Sequence, residues 1–137
     1  MNPEPGYSAK NENAGINVAI VGIGSNIDAE KNIAVMLEML GSEVDIVKIS
    51  KFLKTKPIGV ENQPDYTNGA VKVETVLDID ALRILLKSIE DRLGRDRNGP
   101  RFGPRTIDLD IVVWNRKIVH KDYFYRDFLR NSVEEIS

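Results

Sequence analysis

"TIDLDIVVW", residues 106–114, carries two aspartates one residue apart inside a run otherwise made of β-branched and apolar residues. Its length and its isoleucine and valine content mark a strand. On a strand, residues i and i+2 share a face, with Cα atoms about 6.5–7 Å apart. Asp108 and Asp110 therefore point one way, and Ile107, Leu109 and Ile111 the other. The apolar side packs, and the carboxylates line whatever lies opposite. Two bare carboxylates so close repel, and burying either without a partner is costly, so the pair calls for a cation. Mg²⁺ suits it, being held typically by one or two carboxylates together with substrate phosphates and water.

Working back along the chain, residues 92–105 hold five arginines (92, 95, 97, 101 and 105) against one acid, Asp96, with glycines and prolines that make a loop. Guanidinium groups bind phosphate oxygens bidentately and stay charged at any relevant pH. Carboxylates on a wet edge strand can instead serve a structural ion-pair network, and an arginine loop can be solvated surface. The two features side by side favour a polyphosphate with its metal ions. "GIGSN", residues 22–26, lacks the Lys-Ser/Thr of a P-loop and does not complete GxGxxG, so its glycines read equally as a turn or a phosphate cradle.

The remaining elements follow from periodicity. "INVAIVGIG", 16–24, reads as a buried strand. From Asp28 to Leu40, Ile33, Met36, Leu37 and Leu40 keep the spacing of one helical face, and Gly41 stops the helix. Residues 42–57 read as one strand that loses its pattern near Lys54, followed by the turn residues of "IGVENQPDY". Val71, Val73 and Thr75 alternate on a further strand. Leu82, Leu85, Leu86, Ile89 and Leu93 mark a second helix, capped by Asp78 or Asp80 and ended by Gly94. The order βαββαβ predicts an α+β, ferredoxin-like sandwich, a mainly antiparallel sheet with helices packed on one face. Residues 1–15 read as a flexible N-terminal leader and 16–137 as a single domain.

Composition narrows the function classes. With 42% hydrophobic and 29% charged residues, the chain reads as an ordinary soluble globular protein. A net charge of −2 gives no global attraction to nucleic acid or membrane. No apolar run suits a membrane span, and without cysteine there is neither a disulfide framework nor a thiolate metal site. A cytoplasmic monomer is expected.

"GRDRNGPRFGPRTIDLDI", residues 94–111, closely resembles the signature of the 6-hydroxymethyl-7,8-dihydropterin pyrophosphokinase family, and the similarity takes in "GIGSN", "TKPIGVENQPDYTN" and both helices. The resemblance implies transfer of pyrophosphate from ATP to the hydroxymethyl group of the pterin, releasing AMP, in folate biosynthesis. It implies two Mg²⁺ ions on Asp108 and Asp110, with Arg95 and Arg105 tied to catalysis. Lys87, Glu90, Arg97, Arg101, Ile111 and Arg126 would face ATP. Thr55, Lys56, Ile58, Tyr66, Asn68, Phe102 and Phe128 would hold the pterin, Phe102 standing where the family has Trp. Lys87 and Glu90 also read as a surface ion pair one helical turn apart.

The segment from Asn115 to Tyr125 is shorter than the family's and lacks its Pro-His motif, so His120 reads as a surface histidine. Such trimming, together with an end at Ser137, is expected to weaken ATP binding more than pterin binding. Two rival readings are a catalytically weak relative that binds pterin or nucleotide, and an RNA-binding module. The second ranks last, because the central strands offer few aromatics for stacking and the carboxylates repel phosphate in the absence of metal.

Overall fold

A computed structural model describes residues 15–56, 64–94 and 106–137. The elements are β1 (Asn17–Ser25), α1 (Ala29–Gly41), β2 (Asp45–Ile49), β3 (Leu53–Thr55), β4 (Tyr66–Thr75), α2 (Ile79–Arg92), β5 (Asp108–Trp114), β6 (Lys117–Ile118), α3 (Asp122–Tyr125) and α4 (Asp127–Ile136). The sheet runs β2-β4-β1-β5-β6 with β3 also on β4, and every pair is antiparallel. This is the α+β arrangement expected from the βαββαβ order. The strand expected over 42–57 is two strands, β2 and β3, both on β4. Buried Ser50 lies between them, its amide bonded to the Ala70 carbonyl and its hydroxyl accepting from the Ala70 amide.

The helices form where the apolar spacing places them. Ile33, Met36 and Leu40 of α1, and Leu82, Leu86 and Ile89 of α2, are buried against Ala19, Val21 and Ile23 of β1, Val71 and Val73 of β4, and Leu109 and Ile111 of β5. Each such leucine or isoleucine contributes roughly 1.5–3 kcal/mol by leaving water. Asp78 caps α2 through its side chain, which accepts the Ala81 amide at 2.8 Å. Asp28 precedes α1 in the left-handed region, φ 42°, and its side chain makes no cap bond. Gly94, φ +89°, follows α2 where a left-handed residue is needed.

The structure adds β6, α3 and α4 to the expected set. α4 covers the sheet face opposite α1 and α2, where Val133 and Ile136 pack with Ile20, Ala70 and Val112. The helices thus lie on both faces rather than one. Gly69 admits a close approach on the α1/α2 side: a Cβ there would meet the Phe52 ring at 2.6 Å.

Candidate active site

Among the described residues, α4 covers only part of its face of the sheet. Beyond α4 that face opens into a cleft of about 510 Å³ whose floor is β1, β4 and β5. Alternation along β5 sends Ile107, Leu109 and Ile111 into the helix-side core and leaves Asp108 and Asp110 on the cleft side. Asp110 is open, with its side chain 62% exposed. Across the ladder, Gly24 stands opposite Asp108 and Gly22 opposite Asp110, so no side chain from β1 rises between the carboxylates and β4. The glycines of "GIGSN" are therefore neither a turn nor a phosphate loop. They are strand residues that keep the floor bare.

The polar half of that motif ties down the chain on either side of the cleft. Ser25, fully buried, donates to the Thr106 carbonyl, and Asn26 donates to the Pro64 carbonyl at 3.0 Å. On β4, Asn68 pairs with Gly24 across the ladder and donates through Nδ2 to the Thr55 hydroxyl of β3. The amide is thereby oriented with its oxygen toward Gly24, where a Cβ would sit 3.0 Å away. Tyr66, Thr55 and Lys56 line the same end, and Phe128, Leu129 and Ser132 form the α4 wall.

The opposite end is cationic and anionic in alternation. His120 Nε2 lies 3.9 Å from Asp110 Oδ1, while its Nδ1 accepts the Asp122 amide at 3.2 Å. Asp122 Oδ2 in turn meets Arg126 Nε at 3.3 Å. Because Nδ1 is an acceptor, a neutral His120 carries its hydrogen on Nε2, facing Asp110. Among the described residues no cluster of three or more His, Asp or Glu side chains is arranged to hold a metal. Two carboxylates on one open face do fit the kind of Mg²⁺ site whose other positions go to phosphate and water.

The family model for 7,8-dihydro-6-hydroxymethylpterin-pyrophosphokinase (HPPK) matches residues 20–137, β1 to the end of α4 and all the described residues of the cleft. The chain belongs to the HPPK family. Its relatives include a 2-amino-4-hydroxy-6-hydroxymethyldihydropteridine pyrophosphokinase of Bacillus subtilis, 39% identical over 109 residues, which cover 77% of this chain and 65% of that one. The enzyme of the same name from Haemophilus influenzae is 34% identical over 130 residues, 87% of this chain and 81% of its own. A folate synthesis bifunctional protein of Arabidopsis thaliana is 31% identical over 105 residues, 75% of this chain and 22% of the longer plant protein. The chain thus spans just under two thirds of the Bacillus relative and a smaller part of the plant protein.

Of the residues the HPPK resemblance singled out, the cleft brings together Thr55, Lys56, Tyr66, Asn68, Asp108, Asp110, Arg126 and Phe128. It does not include Lys87, Glu90 or Ile111. Lys87 is exposed on α2, and the Ile111 side chain is buried in the helix-side core. Glu90 is buried rather than on the surface: it is 4% exposed, and its Oε2 accepts the Leu109 amide at 2.8 Å. Ile58, Arg95, Arg97, Arg101, Phe102 and Arg105, and residues 1–14 of the expected leader, 1–15, lie outside the described residues.

His120 corrects the sequence reading. It lines the cleft beside Asp110, because the β5–β6 hairpin turns the chain back and sets His120 at the rim. Its spacing to Arg126 was the available signal, and the missing proline obscured it. Asp122 carried no sequence signal at all.

Proposed function

We propose that this chain transfers the pyrophosphoryl group of ATP to the hydroxymethyl oxygen of 6-hydroxymethyl-7,8-dihydropterin. The pterin hydroxyl attacks the β-phosphorus, the bond from that phosphorus to the oxygen of the α-phosphate breaks, the hydroxyl proton is lost, and AMP leaves. The observation that carries the reading is the layout of the cleft within a chain of this family. An aromatic and amide end (Tyr66, Asn68, Thr55, Phe128) adjoins an end of paired carboxylates with His120 and Arg126.

Each residue has a part. A flat heterocycle is held by aromatic faces and by amide groups that match its edge, the roles given to Tyr66, Phe128 and the Thr55-oriented Asn68. Phe128 and Tyr66 enter from different elements, α4 and β4, so they can take opposite faces of one ring. Asp108 and Asp110 would hold two Mg²⁺ ions, which supply neutralisation of the triphosphate and of charge on the departing AMP. His120 and Arg126 give donors to phosphate oxygens at the far end. Arg95, Arg97, Arg101, Arg105, Phe102 and Ile58 take the phosphate-orienting and pterin-covering roles their match to the family signature gives them. Lys87 has the weakest case. Residues 16–137 act as one monomeric, cytoplasmic unit in this reading, and no membrane or nucleic acid is involved. Among the described residues no helix is long and apolar enough to cross a membrane.

The test is to incubate the purified chain with ATP, Mg²⁺ and the pterin and to separate AMP from ADP, with Asp110→Ala alongside. Pterin-dependent AMP that vanishes in the variant is the expected result. Pterin binding without AMP would replace transfer by a binding function.

A further inference from the structure

We propose that Asp122 is a positioning residue for the phosphate end of the cleft, setting the places of both His120 and Arg126. The inference rests on the pyrophosphokinase reading above and adds to it a residue that itself offers the nucleotide no cation. Asp122 opens the short α3 and uses three different atoms. Its amide nitrogen donates to His120 Nδ1 at 3.2 Å, its Oδ2 meets Arg126 Nε at 3.3 Å, and its carbonyl accepts the Arg126 amide at 2.9 Å. Oδ2 also lies 4.0 Å from His120 Nδ1. One residue thus grips two cleft-lining side chains, and the row continues through His120 Nε2 to Asp110 Oδ1 at 3.9 Å.

The choice of atoms matters chemically. Asp122 takes Arg126 by Nε, and among the described residues the two terminal nitrogens carry no ion pair. That outer pair is the edge that meets a phosphate bidentately. A long side chain already fixed in place loses less freedom when the phosphate arrives. The carboxylate, 31% exposed, would repel phosphate if bare, yet the Arg126 guanidinium beside it offsets it. Its net effect on a triphosphate is therefore through Arg126 and His120, while the pterin end is built on other residues, Thr55 and Asn68.

The experiment is a binding cycle on the full chain by calorimetry in Mg²⁺, with the α,β-methylene analogue of ATP and, separately, with 6-hydroxymethylpterin. The forms compared are the parent, Asp122→Ala, Asp122→Asn, Arg126→Ala and the Asp122→Ala/Arg126→Ala double variant. Asp122→Ala is expected to weaken the nucleotide analogue roughly tenfold, the scale of coupling between touching residues. Pterin affinity should hold, and Asp122→Asn, which keeps an acceptor for Nε, should recover most of the loss. The double variant should bind no worse than Arg126→Ala alone. The proposal is overturned if Asp122→Ala binds the nucleotide as the parent does or more tightly, if the two losses multiply, or if pterin affinity falls equally. A parent that binds no nucleotide would instead refute the pyrophosphokinase reading, and the proposal with it.

Discussion

Glu90 Oε2 holds the amide of Leu109, the residue between the two cleft aspartates, at 2.8 Å. Among the described residues no strand pairs with Leu109 on the side away from β1, since β6 pairs with Val113 and Trp114. The carboxylate satisfies that backbone donor and so ties β5 to α2 at the residue between the two aspartates. Glu90→Ala should cost about 1–3 kcal/mol in a denaturant titration, the penalty of a buried donor left unmade. It should also raise the Mg²⁺ concentration needed for half-maximal AMP formation. Glu90→Gln, which keeps an acceptor oxygen, should do less of both.

Much of this was legible beforehand, for a physical reason. Period 3.6 in α1 and α2 and period 2 in β4 and β5 report which side of an element faces the core, and packing then has one solution. The role of Glu90 was not legible, because a glutamate on a helix is normally solvated and only the position of β5 reveals its partner. α4 lay outside the expected elements although Phe128, Leu129, Val133 and Ile136 fall on one helical face, a stripe that is short and set among charged residues. The part played by the glycines of "GIGSN", which read equally as a turn or a phosphate cradle at the end of a strand, was not legible because a bare strand is useful only once the residues across the ladder are known.

Gly24→Ala places a methyl group 3.0 Å from the Asn68 oxygen. Asn68 must turn, and its bond to Thr55 is disturbed. Pterin affinity is expected to fall about tenfold, the effect of one misplaced hydrogen bond, while nucleotide affinity is retained. Equal affinity for both ligands in the variant and the parent would show that Asn68 does not face the pterin.

Gly69→Ala makes its clash on the other side of the sheet, with the Phe52 ring at 2.6 Å. Overpacking of this kind costs roughly 1–3 kcal/mol, read as a lowered melting temperature. Phe52→Leu in the same chain should restore part of the loss.

If the proposed transfer holds, chelation of divalent ions should abolish AMP formation and Mg²⁺ should restore it, because Asp108 and Asp110 would need a cation between them and a triphosphate. Asp110→Asn should lower activity by at least about a hundredfold, as expected when a charge-stabilising contact of the transition state is removed. An isothermal titration of Mg²⁺ in the presence of the ATP analogue checks whether the loss follows metal binding.

Tyr123 donates to Glu134 at 3.2 Å. Partial desolvation, then the hydrogen bond and charge of Glu134, raise its pKa above the ordinary tyrosine value, with Arg130 opposing. The folded chain therefore holds this proton more tightly than the unfolded chain. Its contribution to stability is complete below about pH 10 and is lost as the pH rises through the folded value. The urea midpoint should fall across that window, and Tyr123→Phe should fall less.

The β5–β6 turn places Asn115 and Arg116 at φ 47° and 73°. Asn115 suits the position and also accepts the Val18 amide at 2.8 Å, whereas Arg116 gains nothing comparable there. Arg116→Gly should stabilise the chain by about 1 kcal/mol, the left-handed cost to a side chain. A melting temperature unchanged or lowered would contradict this.

The two faces of the sheet answer to different demands. Substitutions among Ile33, Met36, Leu82, Leu86 and Val71 register in how readily the chain unfolds, because that side is packed under α1 and α2. Changes at Gly22, Gly24, Asn68 and Asp110 register in what the cleft accepts, because those residues line it. A lineage of such chains can therefore drift in thermal endurance through one set of residues while its ligand preference stays under separate control in the other.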